Sequence, residues 1–244
     1  MRNRLWLLLW VALAWPSAST AAAAESLYKT TLLQAAPGRL LELIDAQKKL
    51  NQAYHAAGEP TAYMMRHSQG DMWDLLLLTP IGSYSDYFTA ERIAGRQRAE
   101  RDSGWAPRRS ELVAWQEDVY VRGPSPEPVA RAFAAAGYFH VEMFIALPGK
   151  HAELLQQREM ENAYLKGIDR PQNLIFVRDQ GAACDAYTIG FYRDLKHYAE
   201  SADIPDEKEE AAARAAGFAS ATQIGPYLRT LIRSHHDTLA VPVP

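Results

Sequence analysis

A histidine and a glutamate stand two residues apart in the run Tyr138-Phe-His-Val-Glu-Met-Phe-Ile145. Read as a strand, the run splits into two faces, because successive side chains point to opposite sides. Phe139, Val141, Met143 and Ile145 make a wholly apolar face suited to packing under helices, and Tyr138, His140, Glu142 and Phe144 make the other. An imidazole and a carboxylate at this spacing can serve as a general base with its orienting partner, or as two ligands of a metal. A metal would need a third ligand. His236 is the best placed, since the alternation of Leu239 and Val241 sets it on one face with Thr238. The bland alternatives are a solvated or ion-paired His140 and Glu142, and a His235-His236 pair that ends a helix favourably for its dipole. The expectation is that His140 and Glu142 are catalytic and that no metal or other cofactor is held.

Other chemistries find less support. Ser110, Ser201 and Ser220 lack a nucleophile elbow or a nearby histidine motif, and no phosphate-binding glycine loop occurs. The stretch from Glu91 to Asp102 mixes charge signs at helical spacing and reads as a solvated face. Trp73, Tyr63, Met64, Met65 and Phe176 read as core. The single cysteine, Cys184, allows no intramolecular disulfide. A formal net charge of −3 argues against a nucleic-acid partner.

The elements that must position these residues come in duplicate. Tyr28 to Tyr87 lies on Phe139 to Tyr198 at a constant offset of 111 residues without a gap. The identities fall where backbone geometry is demanding: Pro37-Gly38 on Pro148-Gly149, Pro60 on Pro171, Gln69-Gly70 on Gln180-Gly181. Asn51 meets Asn162 and Asp74 meets Asp185, pairings that favour a structural role for these polar residues. Each copy reads strand, helix, hairpin, helix, strand. The first strands are Leu27 to Ala35 and Tyr138 to Ala146, and the helix after each Pro-Gly runs to about Ala57 and Gly167. Arg108 to Trp115 and Ala221 to Arg233 read as the last helices before the closing strands Asp118 to Arg122 and Asp237 to Val241. The organisation expected is residues 1–24 a signal peptide, 25–122 a first repeat, 123–136 a proline-rich linker with a short helix, and 137–244 a second repeat.

The signal peptide is read from Arg2 and Arg4, the apolar run Leu5 to Trp15, and a small-residue stretch ending at Ala24. The run is too short to span a bilayer, which needs about 20 apolar residues. No cysteine follows it to carry a lipid anchor. These features predict a periplasmic or secreted protein with no membrane anchor.

Two tandem copies of strand, helix, hairpin, helix, strand resemble the dimeric α/β barrel superfamily, which includes NIPSNAP-like, antibiotic-biosynthesis-monooxygenase-like and EthD-like proteins. The resemblance implies an α+β fold, two ferredoxin-like repeats forming a barrel within one chain, with antiparallel sheets and outer helices. It implies fold better than activity. In such a barrel the face holding His140 and Glu142 would point inward, opposite Lys29 and Thr31 of the first copy. Tyr138, Phe144, Arg178, Tyr187 and His236 would join that pocket between the sheets. The expected function is binding of a small, mostly apolar organic molecule there, with acid/base or monooxygenase-like chemistry. A non-catalytic carrier whose barrel is filled by Trp73, Tyr187 and Phe144, and a haem- or metal-binding barrel, are the alternatives, with catalysis itself left open. A monomer or a homodimer would serve.

Overall fold

The computed structural model describes residues 26–243, so the apolar N-terminal run lies outside the described residues. The first copy comprises β1 (Ser26–Ala35), α1 (Leu40–Ala56), β2 (Tyr63–Gln69), β3 (Leu75–Gly82), α2 (Tyr84–Tyr87), α3 (Ala90–Asp102), α4 (Trp105–Leu112) and β4 (Val113–Gly123). After α5 (Pro126–Ala135) the second copy follows: β5 (Tyr138–Ala146), α6 (His151–Gly167), β6 (Leu174–Gly181), β7 (Ala186–Tyr192), α7 (Leu195–Ala199), α8 (Asp206–Ala215), α9 (Ile224–Arg229) and β8 (Ile232–Pro242). Leu40 and His151, which open the long helices, are 111 residues apart, as are the first residues of β2 and β6 and of β3 and β7.

The eight strands form one closed antiparallel barrel in the order β1-β3-β2-β8-β5-β7-β6-β4. Each half contributes a ferredoxin-like sheet, and the halves join through β2 with β8 and β4 with β6. The long helices lie outside, with Leu43, Ala46 and Leu50 of α1 packed on Leu33, Leu75 and Leu77. The fold is therefore the α+β barrel of two ferredoxin-like repeats that the sequence implied. Closure leaves each strand paired on both sides, which removes the exposed edges of an open sheet. Among the described residues no helix is long and apolar enough to cross a membrane.

Two boundaries differ from expectation. Val113 to Trp115 belong to β4 and continue its pairing with Gln34 and Ala35. Ile232 to His236 belong to β8, where His235 and His236 pair with Phe144 and Met143. The pair of histidines is thus part of the sheet and not a helix end. The proline-rich linker, read as stiff and extended from its prolines, is helical from Pro126 onward. Pro126 sits in the first turn of α5, a position whose missing N–H costs the helix nothing.

The lumen is the dry part of the molecule. Tyr28, Leu32, Val119 and Val121 enter it from the first half, and Phe139, Val141, Phe176, Tyr187 and Ile189 from the second, all buried and joined by Trp73. Tyr187 stacks on Phe176 with ring centroids 5.0 Å apart, and Tyr28 meets Phe176 edge-on at 5.4 Å. The phenol oxygen of Tyr187 lies 2.6 Å from Thr30 Oγ1, so the two buried hydroxyls satisfy each other. α5 packs on this core through Val129 and Phe133, the latter stacked on Tyr63 at 4.3 Å. The apolar face of β5 therefore lines the lumen, closed by α5, and does not pack under the long helix α6, and the pocket expected between the sheets is filled with side chains.

The residues shared by the two copies are scaffold. Asp74 and Asp185 each accept the backbone N–H at the end of the neighbouring first strand, Ala35 at 2.7 Å and Ala146 at 2.8 Å. Asn51 accepts the N–H of Ala62 at 2.7 Å and donates to its carbonyl at 2.9 Å, and Asn162 does the same to Asn173 at 2.8 and 2.9 Å. Each amide ties a helix to the chain entering the hairpin.

The duplicated Gln-Gly turns have a steric origin. Gly70 has φ +127°, and a Cβ there would stand 2.2 Å from the carbonyl oxygen of Asp237 in the other half. Gly181 has φ +86°, and its Cβ would stand 2.6 Å from the carbonyl oxygen of Asp118. Each hairpin tip thus lies against the other half's closing strand. Gly38, at φ +77°, has open space where a Cβ would go. Gly38→Ala is expected to cost about 1 kcal/mol of unfolding free energy, from backbone conformation alone. Gly70→Ala and Gly181→Ala should each cost about 1–3 kcal/mol more, because backbone must move as well. Urea unfolding of the three variants checks the order.

Candidate functional site

The outer face of β5 looks at α6, and α6 is what it meets. His140, Glu142 and Phe144 have Leu239, Asp237 and His235 of β8 as cross-strand partners, and Thr188 of β7 lies opposite Glu142. His140 Nε2 is 3.4 Å from Asp237 Oδ1, and His235 Nε2 is 3.1 Å from Asp237 Oδ2. Thr188 donates its hydroxyl to Glu142 at 3.3 Å. Arg158, descending from α6, is buried and donates to Glu142 at 3.4 Å and to Glu161 at 2.7 Å. Its guanidinium carbon also sits 4.5 Å above the ring of Phe144.

The electrostatics follow from burial and crowding of like charges. Burial, then the charge of Glu161, pushes Glu142 up to about 7 against the opposing pull of Arg158 and His140. Burial would lower His140, yet its hydrogen bond with Asp237 and the charges of Glu142, Asp237 and Glu161 hold it above its usual range. That same hydrogen bond keeps Asp237 below the ordinary carboxylate range.

The equivalent face of β1 is built differently. Lys29 and Thr31 occupy the positions of His140 and Glu142, and Asp118 of β4 lies across from Thr31. Lys29 Nζ is 3.0 Å from Asp118 Oδ2, Thr31 donates to Oδ1 at 2.6 Å, and Gln116 adds a donor at 3.2 Å. At the helix position equivalent to Arg158 the first copy has Gln47. Beneath α1, α3 and α4 this leaves a cavity of about 350 Å³, the size of a small-molecule site. Leu33, Leu50, Met64, Leu77 and Trp105 form its apolar wall, and Lys29, Asp118, Tyr54, Glu100 and Arg96 its polar part. Tyr54 donates to Glu100 at 2.9 Å, and burial followed by that carboxylate raises the phenol, which stays a donor.

The residues singled out in the sequence therefore separate into three places. His140 and Glu142, with Tyr138 and Phe144 on the same face, lie on the outside of the sheet and not in the lumen, Glu142 and Phe144 against Arg158 of α6 and Tyr138 and His140 against Tyr198 of α7. Lys29 and Thr31 lie in the first-half cavity; β1 and β5 are on opposite sides of the barrel, so the two pairs do not face one another. Tyr187 is in the lumen core, and Phe144, expected to help fill the lumen, packs instead with Leu154 and Leu228. Arg178 lies within β6, opposite Val121 of β4, with its side chain exposed and paired with Asp185. His236 shares the lumen-side face with Thr238, as expected from the alternation, but it sits at the rim, 3.0 Å from Asp71 with its side chain 55% exposed. Opposite faces of the sheet keep it from joining His140 and Glu142.

Asp118, Asp237, His235, Gln47 and Arg158 were not foreseen. Asp118 and Asp237 each open the closing strand as read from the sequence, a signal in plain view, but 119 residues separate them and an ungapped offset of 111 never aligns them.

No protein-family model matches the chain, and no curated protein matches it. Solved structures do. A crystal structure of an anthrone oxidase-like protein is similar over 90% of this chain and 92% of its own, with a TM-score of 0.61 and 14% identity. A candidate monooxygenase from Fusobacterium nucleatum subsp. nucleatum matches over 91% and 94%, with a TM-score of 0.57 and 7% identity. A candidate monooxygenase from Lactobacillus acidophilus matches over 91% and 95%, with a TM-score of 0.53 and 8% identity. These likenesses show the fold alone, a barrel of two ferredoxin-like sheets, here closed within a single chain.

Arg158 is the test of how the second half is held. Arg158→Ala leaves Glu142 and Glu161 buried without their guanidinium and opens a void beside Phe144. It is expected to lower the unfolding free energy by about 3–5 kcal/mol, read by urea denaturation.

Proposed function

We propose that the protein is an exported, small-molecule-binding barrel whose ligand occupies the first-half cavity beneath α1 and is acted on by acid/base or oxygenase chemistry there. The observation that carries this reading is the cavity itself, about 350 Å³ with a lysine and an aspartate paired at 3.0 Å in its wall. Export rests on the N-terminal run Leu5 to Trp15 with its flanking arginines.

The ligand is a small organic molecule, apolar over most of its surface, with a carbonyl or phenolic oxygen. Leu33, Leu50, Leu77 and Trp105 would hold its body by excluding water. The ammonium of Lys29, steadied by Asp118, would take the oxygen and stabilise negative charge that develops on it. Asp118 already accepts from Lys29, Thr31 and Gln116, so its part is to orient the lysine more than to abstract a proton. The names of the structural neighbours, an anthrone oxidase-like protein and two candidate monooxygenases, agree with an oxygen-bearing organic ligand. His140 and Glu142 are not placed to share in this chemistry.

The experiment is quenching of tryptophan fluorescence, Trp105 lining the cavity, titrated with anthrone and simple hydroxynaphthalenes. Wild-type protein should bind with micromolar affinity. Lys29→Met should weaken binding about tenfold, and Gln47→Arg, which places in the first half the side chain found in the second, should abolish it with little change in thermal stability. Equal binding by wild type and Gln47→Arg overturns the reading. Oxygen consumption during turnover separates an enzyme from a carrier.

A further inference from the structure

The half of the barrel that takes no part in that chemistry holds a second concentration of charged groups. His140 and Glu142 from β5 and Asp237 from β8 each offer one ligand atom, and these atoms lie within 4.8 Å of one another. We propose that His140, Glu142 and Asp237 bind a divalent transition-metal ion of the zinc or manganese class, one nitrogen and two carboxylate oxygens, at the mouth between the β5–β8 ladder and α6.

Comparison of the two halves carries the argument. In the first half the cation that balances Asp118 is built in, since Lys29 reaches it at 3.0 Å and Thr31 beside it is neutral. At the matching positions of the second half the ammonium is replaced by an imidazole and the hydroxyl by a carboxylate. The exchange removes a fixed positive charge and adds a negative one. Glu142 and Glu161 then share the single guanidinium of Arg158, which is committed to Glu161 at 2.7 Å and reaches Glu142 only at 3.4 Å, while Asp237 has only the imidazoles of His140 and His235, at 3.4 and 3.1 Å. A divalent ion restores the balance that Lys29 supplies in the first half.

The surroundings suit such an ion. His235 holds the other oxygen of Asp237 at 3.1 Å, and Thr188 donates to Glu142 at 3.3 Å, the outer contacts that orient ligands in metal sites. Asp237 is 49% exposed, which gives an ion a path from solvent. A mixed nitrogen and oxygen donor set without thiolate fits Zn²⁺, Mn²⁺ or Fe²⁺ better than Ca²⁺ or Mg²⁺, which prefer oxygen alone. His236 takes no part, being on the opposite face and paired with Asp71.

Isothermal titration of the purified, chelator-treated chain with Zn²⁺ and with Mn²⁺ tests the proposal. One equivalent is expected to bind, with affinity reduced at least tenfold in Glu142→Gln and in Asp237→Asn, about tenfold in His235→Ala, and unchanged in His236→Ala. Thermal unfolding confirms that each variant is folded. Should the ligand variants fail to fold, Co²⁺ added to the wild type decides, with ligand-field bands displaced by Zn²⁺ supporting the site. Absence of saturable binding, absence of those bands, or loss of binding in His236→Ala but not in Asp237→Asn overturns it.

Discussion

The ladders that close the barrel, β2 with β8 and β4 with β6, each end at a point where backbone meets backbone. The hairpin tip at Gly70 lies against Asp237 and Thr238, and the tip at Gly181 against Asp118 and Val119, each too close for a Cβ. The first half thus grips the last strand of the second, and the second grips the last strand of the first. The gripped residues include Asp118 and Asp237, so the contact that closes the barrel also fixes the backbone of the two carboxylates around which polar groups gather. Architecture and site are set by one steric constraint, and the constraint is written twice because the sequence is.

Closing the barrel decides where chemistry can be. With β1 and β5 turned to put Tyr28, Thr30 and Phe139 inward, the lumen fills with aromatic and aliphatic side chains; the hydroxyls of Thr30 and Tyr187 are spent on each other, and that of Tyr28 on the carbonyl of Pro124. Polar residues at alternate positions are then forced to the outer face, where helices roof them. How much room the roof leaves depends on what it projects downward. Gln47 leaves a cavity beneath α1, while Arg158 at the same place in α6 reaches the sheet, lies over Phe144 and fills the equivalent space.

The fold was legible because its demanding positions are also its recognisable ones. Pro-Gly at strand ends, Gln-Gly at hairpin tips, and the Asn and Asp that tie helices and strands to their neighbours recur at a fixed spacing, and each has a geometric duty that few other residues could perform. The site was legible in part. Alternation in Tyr138 to Ile145 separated His140 and Glu142 from the apolar set, and their pairing in space is real. What alternation could not say was which face the lumen would claim. Both faces of these strands are covered, one by the opposite sheet and one by helices, so an apolar face is no signature of a helical roof. The lumen is sealed all round, and the driest side chains belong there. Asp118 and Asp237 escaped notice for a different reason, since extra residues before β8 shift their spacing and hide the correspondence.

Duplication explains why the two halves could part ways at so few positions. Each helix roof packs on its own sheet, with Leu43 and Leu50 on Leu33 in one half and Leu154 on Phe144 in the other, and these packings share no residues. A change under one roof therefore leaves the other undisturbed, provided the lumen and the two hairpin contacts stay intact. Three exchanges at matched positions, Gln47 against Arg158, Lys29 against His140 and Thr31 against Glu142, separate the open cavity with its resident ammonium from the filled half with its added carboxylate. A void beneath both helices would lose packing twice. A void beneath one, with an arginine stacked in the other, keeps the barrel's stability in one half and its room for a ligand in the other.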